Sequence, residues 1–69
     1  MQQDLKYINK SLEKSFKILE ILSKSIFPLK ASNISRKAVL SRTTTFRLVS
    51  VLSQLGYIHK NTGSNTYTM

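Results

Sequence analysis

The chain has 69 residues, eleven Lys and Arg against three acids, a formal net charge of +8 and no cysteine. That length allows one domain, and it buries only about 60% of its unfolded surface. The missing cysteines exclude a disulfide staple, a thiol nucleophile and thiolate metal sites, and they suit a reducing cytoplasm.

No acid follows Glu20. An imbalance this large implies a polyanionic partner, nucleic acid before membrane surface, the plainer alternative being a merely soluble basic protein. Residues 1 to 10 read as an N-terminal arm or frayed helix start in which Leu5, Tyr7 and Ile8 are available to pack or dimerise. They contain no signal-peptide core, and no window approaches the ~18 apolar residues of a membrane span, so a soluble protein without a membrane partner is expected.

A helical period then takes over. Ile8, Leu12, Leu19, Leu22 and Ile26 form one stripe with Phe16 on its flank, and Lys10, Lys14, Lys17 and Lys24 lie opposite. Glu13 with Lys17 and Glu20 with Lys24 are i, i+4 pairs in the favourable order, worth a few tenths of a kcal/mol each. Ile18 and Ile21 fall toward the basic face and are candidate dimer contacts, unless they are single exposed isoleucines of no consequence.

Pro28 ends that helix and holds Phe27 out of the helical region. After a loop, Ala31 or Ser32 opens a short second helix to about Ala38, with Ile34 and Ala38 inward. Lys30, Arg36 and Lys37 stay free for phosphates. Ser41 suits an N-cap, and a third helix runs from there to Leu55, where Gly56 stops it. Thr45, Leu48, Val49, Leu52 and Leu55 share its inner face. Thr43, Arg47, Ser50 and Gln54 share the outer one, with Phe46 at an edge and Arg42 near the start. This acid-free surface of hydroxyls, guanidinium groups and methyls suits base edges and phosphates in a major groove, the competing view being an ordinary solvated helix face. Tyr57 to Lys60 and Thr66 to Met69 read as strands joined by the turn signal Asn61-Thr62-Gly63-Ser64-Asn65. They form a hairpin that either touches DNA through Lys60 and His59 or simply caps the core. The expected fold is mainly α, a winged helix-turn-helix of three helices plus a two-stranded wing, occupying residues 11 to 69.

From about Ser11 to Tyr67 the chain resembles the DNA-binding domain of IclR-type transcription factors. The resemblance is carried by Ser11-Leu12-Glu13-Lys14 running into Ile18-Leu19-Glu20-Ile21-Leu22, then Leu29, Ile34, Arg36 and Leu40. It continues through Ser41-Arg42-Thr43-Thr44, Arg47-Leu48, Leu52, Leu55-Gly56-Tyr57-Ile58 and Tyr67. It implies a winged helix-turn-helix that binds specific DNA, commonly as a dimer in which the first helix helps pairing. Two positions depart from the family pattern. Val39 stands at the usual turn glycine and Ser41 at the usual proline, so either a left-handed turn strains Val39, or the turn is built differently or the second helix runs longer. Members continue into a larger effector-binding domain, whereas this sequence ends at Met69. The resemblance therefore implies no effector site within this chain, which is either a DNA-binding fragment or a stand-alone regulator.

The leading expectation is sequence-specific binding of double-stranded DNA in transcriptional regulation, as a homodimer. Base reading falls to Arg42, Thr43, Thr44, Phe46, Arg47 and Ser50, and phosphate contact to Lys30, Arg36, Lys37, Ser41 and Lys60. A competing expectation is a small protein-interaction module on the same scaffold, a phage or plasmid accessory factor with only non-specific DNA affinity. A third, the basic first helix lying on an anionic membrane, ranks below both because the rest of the chain supplies a core for its apolar stripe. Catalysis, a metal site and a cofactor are not expected: His59 is the one histidine, and Asp4, Glu13 and Glu20 are scattered.

Overall fold

The structure, a computed structural model, describes the backbone of residues 2–69 and the side chains from Lys10 onward. In chain order it contains α1 (Gln2–Lys24), β1 (Leu29–Lys30), α2 (Ala31–Ala38), α3 (Arg42–Gln54), β2 (His59–Asn61) and β3 (Thr66–Thr68). Helix α1 starts inside the segment expected to be an arm or a frayed start. Leu5, Tyr7 and Ile8 lie outside the described side chains.

The core forms where the three helices meet the hairpin. Ile18 and Leu22 of α1, Ala31 and Ile34 of α2, Val49 and Leu52 of α3, Ile58 and Tyr67 make one buried cluster, and Leu19, Leu29, Leu40 and Leu48 pack on its edge. This corrects the expected register of α1. Ile18 has no exposed surface, so it is a core residue and not a dimer contact, whereas Leu12, Phe16 and Ile26 are exposed. Ile21 is half-buried. The cause is geometric. A 23-residue helix is about 34 Å long, and its deeply buried positions, Ile18 and Leu22, are one turn apart near its C-terminal end. Leu12 and Phe16 lie on the far flank of Leu19, beyond the reach of α2 and α3. Of the two expected pairs along α1, Glu20–Lys24 closes, at 3.0 Å.

The hairpin has one more strand than expected. Pro28 cannot continue a helix, and Leu29 and Lys30 follow it as β1 opposite Tyr67 and Thr66. The sheet is antiparallel in the order β1-β3-β2, with Tyr67 between Leu29 and Lys60. Tyr67 is buried while Thr66 and Thr68 are half-buried, the period of two that a sheet with one covered face requires.

Helices α2 and α3 end in the same way. In each, a residue just past the helix donates its N–H back five positions, Leu40 to Ser35 O at 2.9 Å and Tyr57 to Leu52 O at 2.9 Å. The residue before it donates to the next carbonyl along, Val39 to Arg36 O and Gly56 to Ser53 O. This Schellman closure satisfies carbonyls that have no helical partner, and it requires a left-handed residue in the middle. At α3 that residue is Gly56, with φ 88°. At α2 it is Val39, with φ 55° and ψ 48°, so of the expected alternatives the left-handed turn is the one adopted and the helix does not run longer. Leu55, expected in the core, is exposed because it already belongs to the turn.

Candidate nucleic-acid interface

Helix α3 is fixed at its start by Ser41. The Ser41 hydroxyl accepts the N–H of Thr44 at 3.1 Å and donates to the Thr44 hydroxyl at 2.9 Å. One residue further, the buried Thr45 donates its hydroxyl to Ser41 O at 2.9 Å. These bonds use the Ser41 hydroxyl as both acceptor and donor and make Ser41, the expected N-cap, the residue that aims α3. Thr44, expected at the bases, is half-buried and belongs to the same cap.

Inward pinning by Thr45, Val49 and Leu52 sets the opposite face. Thr43, Arg47, Ser50 and Gln54 are all exposed and recur at intervals of three and four, so they share one side of the helix. Phe46 stands at its border, about half-exposed. No acidic side chain occurs anywhere in α2, α3 or the wing. The arrangement is one that can accept and donate hydrogen bonds, offer methyl contacts and attract phosphate.

Arg42 lies elsewhere. One turn before Phe46, it joins Lys30 of β1 and Lys60 of β2 in lining a cleft of about 470 Å³ between the wing and the start of α3. Phe46 and Tyr67 supply aromatic surface to it, and Ser32 and Asn65 line it as well. Arg36 and Lys37 border a second, smaller hollow of about 270 Å³ on α2, where the Arg36 guanidinium donates to Asn33 Oδ1 at 2.6 Å. The expected phosphate-binding lysines and arginines thus divide into two groups, one on the wing side of α3 and one on the exposed face of α2.

Asn65 escaped the sequence reading as a site residue. It stands in the turn between β2 and β3 with φ 56°, a left-handed conformation that asparagine tolerates better than most residues. The turn composition marked its conformation, but only the antiparallel pairing, which returns β3 alongside β1, brings it to the cleft. His59 is exposed on β2.

Three helices with a small antiparallel sheet, a capped third helix and a basic wing side define a winged helix-turn-helix. Residues 11–62 match the model of the IclR helix-turn-helix domain, and the chain belongs to that family. It is therefore a DNA-binding domain of transcriptional regulation. No match was found among curated proteins or among solved structures. No helix among the described residues is long and apolar enough to cross a membrane.

Proposed function

We propose that this domain binds a specific double-stranded DNA site as a homodimer in the cytoplasm, with α3 in the major groove. The observation that carries the reading is the exposed, acid-free face of Thr43, Arg47, Ser50 and Gln54 on a helix whose inner face is locked by Thr45, Val49 and Leu52. Arg47 is the residue suited to a guanine edge, through two donors to O6 and N7. Thr43 and Ser50 can donate or accept, and Phe46 or the Thr43 methyl meets a thymine methyl. Lys30, Arg36, Lys37 and Lys60 contact phosphates, which hold the helix in register without reading sequence.

Pairing of two copies through α1 fits the exposed Leu12 and Phe16, which a second α1 would cover. Glu13 and Glu20 lie between that apolar stripe and Lys10, Lys17 and Lys24 on the helical wheel, so pairing along it keeps the lysines apart. Two α3 helices would then enter successive major grooves about 34 Å apart.

Selection from a randomised duplex pool at two salt concentrations tests the proposal. The expected product is an inverted repeat whose enrichment persists at the higher salt. A pool without a motif, with affinity collapsing steeply as salt rises, would leave only phosphate attraction and sink the specific reading. An enriched single half-site would remove the dimer and leave base reading in place.

A further inference from the structure

Three basic residues from three separate elements line the cleft beside α3, Lys30 from β1, Arg42 from α3 and Lys60 from β2. Among the described residues, no acidic side chain lines the cleft to neutralise the three. We propose that the cleft is a socket for one phosphodiester of the DNA backbone, gripped jointly by Lys30, Arg42 and Lys60. The inference rests on the DNA-binding reading above and deepens it by moving Arg42 from the bases to the backbone.

Convergence of like charges is unfavourable until an anion enters, so the site is electrostatically incomplete without one. At about 470 Å³ the cleft has room for a phosphate together with parts of its flanking sugars. The Arg42 fork matches two phosphate oxygens, while Lys30 and Lys60 act as point charges on either side. Phe46 and the buried Tyr67 add apolar wall, which lowers the local dielectric and strengthens each ionic contact. Phe46 also borders the reading face, so an anion in the cleft lies next to the groove that α3 would occupy. That adjacency favours a strand of the same duplex over a free anion. Gripping a phosphate carries no sequence information, so loss of Arg42 weakens every site by the same factor.

The test counts phosphates. For duplex DNA the slope of log affinity against log salt is about −0.9 per phosphate neutralised. The variant K30Q/R42Q/K60Q is compared with the parent on a mixed-sequence duplex, where no operator is needed. A shared phosphate predicts a slope shallower by about 0.9, and three separate phosphates predict about 2.7. The larger change overturns the socket, and so does an unchanged slope, which would mean that the cleft does not face DNA. The three side chains are exposed, so their replacement leaves the core intact. Should the triple variant nevertheless fail to melt cooperatively, the single variants decide. Each loses less than half a unit of slope if the phosphate is shared and about 0.9 if it is not. Inorganic phosphate replacing chloride at constant ionic strength identifies a free anion. If it raises the melting temperature of the parent alone while the DNA slopes of parent and variant coincide, the backbone assignment falls. A parent that binds no duplex removes the DNA reading and the socket with it.

Discussion

Val39→Gly is expected to make the domain more stable, although it removes a branched side chain and inserts the residue with the most backbone freedom. A left-handed conformation costs an L-residue about 1–2 kcal/mol, and a β-branched residue belongs at the upper end. Glycine has no such penalty. Two terms oppose the gain. The more flexible unfolded chain costs about 0.5–1 kcal/mol. Val39 is 82% exposed, so losing its contacts forfeits roughly a fifth of a full valine burial, about 0.4 kcal/mol. The balance is a net stabilisation of about 0.5–1 kcal/mol, which for a domain of this size raises the melting temperature by about 2–8 °C. Gly56 provides the reverse experiment within the same molecule. It occupies the equivalent place in the equivalent closure, and a Cβ there would meet no atom within 4 Å. Gly56→Ala therefore isolates the backbone penalty and is expected to lose about 1 kcal/mol. Urea and thermal unfolding followed by far-UV circular dichroism measure both. If Val39→Gly is neutral or destabilising while Gly56→Ala is costly, the turn at Val39 is not strained and the ledger is wrong.

Ile18→Ala should cost about 2–5 kcal/mol, enough to unfold much of so small a domain, because Ile18 is fully buried within one protomer. A normal melt with weakened self-association would instead restore Ile18 to a dimer surface. Phe16→Asp should behave in the opposite way, shifting sedimentation equilibrium toward monomer with little change in the melt, since Phe16 is 63% exposed. An unaltered association constant would exclude that face of α1. Ser41→Ala removes the cap of α3 and should lower stability by about 1 kcal/mol, seen as a drop of 4–8 °C in the melt, and a melt identical to the parent's would contradict the cap. Arg47→Ala should cost about 1–3 kcal/mol on the selected site and relax preference at one base pair, whereas uniform weakening across all sequences would place Arg47 on a phosphate.

The extent to which the fold could be read from sequence follows the range of the forces involved. The bounds of α2 and α3 were legible because caps and closures are local: Ser41 caps within one turn, and Gly56 reverses the chain within two residues. The inner face of α3 was legible for a related reason. Val49 and Leu52 repeat at helical spacing, and the buried Thr45 satisfies its hydroxyl on Ser41 O, a bond available to threonine in any helix with that register. The wing was legible as a hairpin from Asn61 to Asn65, yet β1 was not. A two-residue strand has no period of its own, and its existence depends on Tyr67 arriving beside Leu29.

Helix α1 shows where such reading fails. Leu12, Phe16, Leu19 and Leu22 satisfy amphipathic spacing as well as Ile18, Leu19 and Leu22 do, and the two stripes differ only by a rotation. Periodicity states that a helix has an apolar side, but the neighbours decide which side is covered. Here α2 and α3 are short, eight and 13 residues, and cannot cover a helix of 23 along its length. The same limit applies to the interface. The outward face of α3 follows from its core face by subtraction, so Thr43, Arg47 and Ser50 could be named without coordinates. The meeting of Lys30, Arg42 and Lys60 could not, because they are separated by 12 and 18 positions and joined only through β3 and the first turns of α2 and α3. A basic composition announces that phosphates are wanted, and only the tertiary path of the chain determines how many cations are brought to each one.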